Sequence, residues 1–561
     1  MDKDNSERVI YFGETDYRNK RHKFGIKEKD RSRHLYVIGK TGMGKSTLLE
    51  NMAIQDIENG SGIGFIDPHG GSAELLLEHV PKSRIKDVIY FAPFDVDYPI
   101  SFNVMEDVGK DQRHLVADGL MAAFKKIWPD VWSARMEYIL NNILLALIEY
   151  PDSTLLGVNR MLADKSYRDM VVGHITDPAV RAFWLDEFAK YTDRYMQEAG
   201  AAIQNKIGQF VSSPIIRNII GQPHSSFDIR KAMDEGKIVI MNLSKGRMGE
   251  NNAALLGGML ITKIYLAAMS RASASPAELE RLPHFYFYVD EFQSFVNESF
   301  ANILSEARKY KLDLTIAHQY VEQMPEEVRD AVFGNVGTIL AFRVGPLDAE
   351  LLEKVFAPKF LIEDIVNLGL RQIYLTLMID GIGSPPFSAV TLPPIPTKEA
   401  SHKNEIIDSS RSLYAKGRDS VEVVIKDWHE TAASPSFSAP PRQSAPRGPT
   451  NFPQRSASGP STPASAPRQN SAPRPVARQG HVPGNRPNIP KEVMADLGTN
   501  DLKSLLENAL KEHPISDSEI EDNELVYKPE VVEQKQEQEQ VPTSSHKEIP
   551  TEELTRILKG K

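Results

Sequence analysis

The sequence predicts an α/β domain: a mainly parallel sheet, an all-helical insertion, and a C-terminal tail without a packed core. Three observations carry this reading. Short continuous apolar runs alternate with helical periodicity up to about Trp428, the runs stop between residues 108 and 225, and beyond Trp428 the composition turns to Pro, Ser, Ala and Arg. Residues 431–490 hold seven arginines and no Asp, Glu or Lys. Too little apolar surface is available there to offset the entropy of ordering the chain, so a disordered linker is expected.

In chain order, the expected strands are Leu35–Ile38, Gly62–Ile66, Val88–Phe91, Ile238–Met241, Phe285–Val289, Leu314–Ala317 and Thr338–Phe342. Runs that are apolar throughout, rather than alternating, belong to strands covered on both faces, as in a parallel sheet. Gln372–Ile379 and Phe387–Leu392, separated by Asp380-Gly381-Ile382-Gly383, read instead as a late antiparallel hairpin. In the insertion, Met136, Ile139, Leu140, Ile143, Leu144 and Leu147 follow the i, i+3/i+4, i+7 spacing of an amphipathic helix, as do Ala199, Ile203, Ile207 and Phe210. The expected divisions are residues 1–107 and 226–428 for the two parts of the α/β domain, 108–225 for the all-α insertion, and 429–561 for the disordered tail. Within the tail, Leu502–Leu510 and Glu552–Leu558 carry short helical patterns suited to docking a protein partner.

The chain has 561 residues, a formal net charge of −10 and no cysteine. Disulfides, thiolate metal sites and cysteine nucleophiles are excluded, and a uniformly basic coat for nucleic acid is excluded with them. The polar N-terminus is unlike a signal peptide. The longest apolar run noted, Ile143–Ile148, is far short of the about 20 residues that a membrane-spanning helix needs. A cytoplasmic chain with no integral membrane segment is expected, reaching a membrane only through a partner.

The chemistry begins at Gly39-Lys40-Thr41-Gly42-Met43-Gly44-Lys45-Ser46-Thr47, between an apolar strand and a helical pattern. This is the arrangement of a phosphate-binding loop. Glycines let backbone N–H groups close around phosphate oxygens at a helix N-terminus, Lys45 reaches the β/γ-phosphates, and the Ser46 hydroxyl ligates Mg²⁺. The expected cofactors are therefore ATP and Mg²⁺. A second apolar strand ends in Asp290-Glu291. Asp290 is expected to hold Mg²⁺ through its water shell, and Glu291 to polarise the attacking water. Gln319, closing the strand Leu314–Ala317, is expected near the γ-phosphate or that water. Arg343 is the first choice for a cation supplied in trans, with Arg308 and Arg329 behind it. His69, in Asp67-Pro68-His69-Gly70, reads as a turn residue. Neither a Gly-x-Ser-x-Gly elbow nor a His-Glu-x-x-His pair occurs.

These elements in this order resemble the HerA–FtsK superfamily of DNA-pumping ATPases, and within it the TraG/TraD-type coupling proteins of type IV secretion. The likeness is carried by His34–Thr47, Phe65–Gly70, Pro99–Asn103, Ile238–Gly246, Val289–Glu291 and Ala317–Gln319. It implies a RecA-like ATPase domain, a homo-hexameric ring with ATP at subunit interfaces, and DNA in the central channel. It also implies that the helical insertion stands for the all-α domain such proteins place beside the DNA entrance. The function expected is an ATP-hydrolysing DNA translocase, in conjugative transfer or DNA processing, binding DNA without sequence preference. The basic residues available for phosphate contacts are Arg18, Lys20, Arg21 and Lys23, Lys245 with Arg247, and the arginine-bearing linker. An alternative is a protein-secretion or remodelling ATPase that recruits protein partners through its tail, and a third is a nucleotide switch without turnover.

Overall fold

The computed structural model describes residues 7–16, 20–106, 108–297, 300–398 and 400–430, with backbone alone at 193–199. From residue 431 on, the expected tail, including both short helical patterns, lies outside the described residues, as does Arg18.

Thirteen strands occur among the described residues: β1 (Val9–Thr15), β2 (Lys23–Lys27), β3 (Leu35–Ile38), β4 (Gly62–Asp67), β5 (Val88–Phe91), β6 (Ile238–Asn242), β7 (Phe285–Val289), β8 (Leu312–His318), β9 (Thr338–Ala341), β10 (Gln372–Thr376), β11 (Met378–Ile379), β12 (Ile382–Gly383) and β13 (Phe387–Thr391). Eleven form one sheet in the order β2-β1-β13-β10-β9-β3-β8-β7-β4-β6-β5. From β9 to β5 every pairing is parallel, and these seven strands are the ones the apolar runs predicted. Strands β3, β4, β6, β7 and β8 are buried along their whole length. Helices cover both faces, which is why these strands have no polar alternation.

The remaining four strands of the sheet are antiparallel. The expected late hairpin forms, but β10 also pairs with β9 and β13 pairs with β1, so it extends the main sheet. Its tip, β11–β12, is a separate two-stranded ribbon. The hairpin β1–β2 was not anticipated: the apolar run Val9–Phe12 is short and runs into Gly13-Glu14-Thr15, and Lys23–Lys27 is short and basic.

Six helices position the rest. Helix α1 (Lys45–Glu58) leaves the glycine loop after β3, and α2 (Gly71–His79) leaves the end of β4. The stretch expected to be helical contains α3 (Arg113–Ile127) and α4 (Ala134–Glu149), followed by further helices up to Ile220. Ser133 caps α4, its hydroxyl accepting the Met136 N–H. Met136, Ile139, Leu140, Ile143, Leu144 and Leu147 are all buried, as their spacing required. Helix α5 (Glu250–Met269) is a further core helix. It lies in a span, Glu250–Ser273, that is the one helix among the described residues long and apolar enough to cross a membrane, and 61% of its apolar window is buried inside the protein. This run exceeds Ile143–Ile148, which the sequence reading took as the longest. The last described helix, α6 (Arg418–Glu430), runs past Trp428 and packs Val421 and Ile425 against Leu156. The Trp428 ring stands edge-on to Tyr167, and the Arg160 guanidinium lies 4.6 Å from its centroid.

Candidate nucleotide site

The site lies at the C-terminal edge of the parallel strands, where open α/β sheets bind ligands. Strand β3 delivers the loop between two neighbours: β8 and then β7 on one side, β9 and then β10 on the other. Gly39 N–H donates to the His318 carbonyl at the end of β8, and Lys40 N–H to the Arg343 carbonyl beyond β9. The loop is thus stitched to both neighbours. Gly42 and Gly44 have φ of 77° and 114°, the left-handed region that favours glycine. Gly39 is needed for a different reason: a Cβ there would stand 2.5 Å from the Cβ of buried Phe342, on which the loop rests.

Lys45 is buried, with Nζ donating to the Gly39 carbonyl at 2.7 Å and the Lys40 carbonyl at 3.3 Å. Burial pushes its ammonium down, opposed by the charges of Glu291 and Asp290. The Ser46 hydroxyl donates to Asp290 Oδ2 at 2.8 Å, joining the start of α1 to the end of β7 across the intervening strand β8. Burial first, and then the neighbouring Glu291 and Asp67 carboxylates, push the Asp290 carboxyl up to about 6, against hydrogen bonds from Ser46 and the Glu291 N–H.

Glu291 has φ of 48°, which costs a non-glycine residue free energy and turns its carboxylate away from the strand. Gln319 Nε2 donates to both Glu291 oxygens at 2.7 Å, and Gln293 Nε2 donates to Oε2 as well. The Gln319 carbonyl accepts from the Thr41 hydroxyl at 3.2 Å. A continuous hydrogen-bonded path therefore runs from loop residue Thr41 through Gln319 to Glu291. Sequence reading listed these three residues separately, and the fold brings them together.

The residues fit a hard divalent cation. Asp290 is 2% exposed, beside two further carboxylates that disfavour its ionised form, and the Ser46 hydroxyl is the adjacent oxygen donor. No cluster of three or more His, Cys, Asp or Glu side chains suited to a metal occurs among the described residues. The buried Asp290 carboxylate beside the Ser46 hydroxyl is the kind of partial donor set that Mg²⁺ takes, with substrate phosphates and water completing it.

Other expected residues take different places. Arg343 was offered to a neighbouring subunit, yet its guanidinium lies 3.4 Å from Met43 Sδ of its own loop. Arg329 pairs with Glu326 and Asp330 on an exposed helix. Arg308 sits in the 3₁₀ turn before β8. His69 is an exposed turn residue whose N–H donates to Asp67 Oδ1. Lys245 donates to the Ser294 hydroxyl at 2.9 Å, and Arg247 pairs with Glu74 at 3.4 Å. Both are engaged within the protein rather than forming an open basic patch. Arg21 pairs weakly with Glu14 at 3.9 Å.

Three features were missed. Asp67 is buried and accepts the His69 and Ala73 N–H groups, holding the turn into α2. Ser72 on α2 donates to Glu50 on α1, tying the two helices together. Arg371, just before β10, donates its N–H to the Met43 carbonyl of the loop, and no local sequence signal marks it. For Asp67, the strand-ending Asp-Pro-His-Gly could have supplied one.

Residues 10–264 match the family described as DUF87, the central domain of helicase HerA. Over these residues the chain resembles a HerA central domain. The HerA match contains the loop, Asp67 and the helical stretch, and it ends before Asp290. The described fold is also similar to solved coupling proteins. The plasmid coupling protein TrwB in complex with ADP and Mg²⁺ superposes with a TM-score of 0.51 at 15% identity, over 72% of this chain and 92% of TrwB. The trigonal form of the bacterial conjugative coupling protein TrwBdeltaN70, in complex with sulphate, gives 0.50 at 15% identity over 72% and 92%. VirB4 of Thermoanaerobacter pseudethanolicus aligns at 12% identity over 72% and 99%, with a TM-score of 0.46. No curated protein matches the chain. At such identities the TrwB likeness shows the fold alone.

Proposed function

We propose that the HerA-domain chain binds Mg-ATP in the loop Gly39–Thr47, hydrolyses it, and uses the cycle to move DNA through a homo-hexameric ring. The observation that carries hydrolysis is the path Thr41–Gln319–Glu291 beside the Ser46–Asp290 contact. A loop that only held nucleotide would need neither a buried carboxylate nor an amide joining it to the loop.

In this reading the backbone N–H groups of Gly42 to Thr47 cradle the phosphates, and Lys45 leaves the Gly39 carbonyl to meet the β/γ oxygens. Ser46 and Asp290 hold Mg²⁺, which when bound neutralises phosphate charge and orients the γ-phosphoryl group. Glu291 is the general base. Two amides hold its carboxylate in the described state, and of the about four lone-pair sites on its two oxygens one remains to take a proton from water. Gln319 also touches Thr41 on the loop, so a γ-phosphate entering there would move Gln319 and Glu291 together. Arg343, beside its own loop, adds positive charge in cis.

Support for DNA as the substrate comes from the HerA match and from the resemblance to coupling proteins, TrwB among them. Turnover measured with and without single- and double-stranded DNA tests it: either DNA should raise turnover in the parent, and no stimulation by either would remove DNA as the substrate. The Glu291→Gln variant should lose about 10²- to 10⁴-fold in turnover while still binding nucleotide. Turnover equal to the parent would remove Glu291 as the base. Native mass measurement with ATP and DNA tests the hexamer.

A further inference from the structure

Two arginines flank the phosphate loop on the side away from Glu291 and Gln319, and neither has a carboxylate partner among the described residues. Arg343 follows β9, and Arg371 precedes β10, the next strand outward. Arg371 is the more deliberately placed. Its φ is 63°, in the left-handed region. A non-glycine residue persists there only where its surroundings over-determine it, and such strain gathers at ligand sites. Here its N–H donates to the Met43 carbonyl in the loop at 3.3 Å, and its own carbonyl accepts from the Thr391 N–H at 2.9 Å. Its Cγ lies 3.6 Å from where a Cβ on Gly44 would stand. The stem therefore runs over the residue that caps α1, whose first N–H groups form the phosphate cradle. Arg371 is half-buried, and most half-buried arginines among the described residues are paired: Arg160 with Asp164, Arg230 with Asp234, Arg411 with Asp95. A half-buried guanidinium held against an anion site without a protein anion is poised for an anion from outside.

The geometry points to Arg371 as a nucleotide-binding cation acting in cis, on the diphosphate part that ADP and ATP share. The side of approach decides which part. Glu291 and Gln319 reach the loop from β7 and β8 and address the γ-phosphate, whereas Arg371 arrives from the opposite flank at Gly44. It is a binding residue, so it acts on affinity rather than on turnover at saturation. This rests on the nucleotide reading of the loop given above.

The test is calorimetric titration of the full chain with Mg-ADP and with a non-hydrolysable ATP analogue, for the parent, Arg371→Gln, Arg371→Lys and Lys45→Ala. Gln keeps the stem over Gly44 and both backbone bonds but removes the charge. A charge-assisted contact of ordinary strength predicts at least about tenfold weaker binding of both nucleotides to Arg371→Gln. Arg371→Lys should recover part of that loss, and all variants should keep the parent's thermal midpoint without nucleotide. Binding by Arg371→Gln equal to the parent's overturns the inference. So does a loss confined to the ATP analogue, or an equal loss in the Lys and Gln variants, which would mark a shape role. If Lys45→Ala binds like the parent, the nucleotide reading itself fails. If Lys45→Ala loses binding and Arg371→Gln does not, only the role of Arg371 fails.

Discussion

Replacing Asp56 with Ala strands a buried charge at the place where the nucleotide loop and the Asp290-Glu291 strand are aligned. Asp56 lies on the inner face of α1 and is fully buried. Its oxygens accept from Arg31 NH1 and NH2 at 2.7 and 2.8 Å, a bidentate pair, and the Tyr288 hydroxyl on β7 bonds to both partners. The Arg31 guanidinium also stacks 3.6 Å above the Tyr286 ring. One cluster thus joins the segment before β3, the helix after it, and the strand ending in Asp290. Removing one partner of such a pair leaves the other buried and uncompensated, at a cost of about 3–5 kcal/mol. Set against a typical domain stability of about 5–15 kcal/mol, that is a large fraction. Urea unfolding followed by fluorescence should show this loss for Asp56→Ala. The double variant Arg31→Met with Asp56→Leu should recover much of it, because no charge is then left stranded. A loss below about 1 kcal/mol for Asp56→Ala, the size expected of an exposed pair, would refute the reasoning.

Three further outcomes follow from the same packing and burial. Gly39→Ala forces a Cβ to 2.5 Å from Phe342 Cβ, which cannot move without the backbone, so a loss of about 1–3 kcal/mol and weaker nucleotide binding are expected by thermal melting and titration. Gly71→Ala, with nothing within 4 Å of the new Cβ, should be neutral or slightly stabilising. Burial holds His34 down at about 4 and His318 at about 3, so both are neutral in the fold while the unfolded chain protonates them below about 6.5. The stability this gives is complete above pH 6.5 and is lost as pH falls towards the folded values. At pH 5.5 each accounts for roughly 1 kcal/mol of lost stability. Comparing pH 7.5 with 5.5, His318→Asn should shrink the acid loss by about that amount, and an unchanged pH dependence would contradict it.

The sequence by itself determined whatever is written within one strand and its adjoining turn. Gly39–Thr47 needs only a strand, three glycines and a helix start, and Asp290-Glu291 only an apolar run ending in acids. The seven parallel strands were legible because burial on both faces leaves an unbroken apolar signature. The helical stretch was legible because Met136–Leu147 keeps the period of a buried stripe. What the tertiary structure alone decided is the set of contacts between residues far apart in the chain. Strand order places β8 between β3 and β7, which is why Gln319 bridges Thr41 and Glu291, and no spacing in the sequence encodes that order. Arg343, expected to serve a neighbour, also lies beside its own loop because β9 pairs with β3. Arg371 was invisible because its position depends on an antiparallel extension of the sheet and on a left-handed backbone, neither of which a single residue type announces. Local patterns report which face of an element is buried. Only long-range pairing fixes what that face meets.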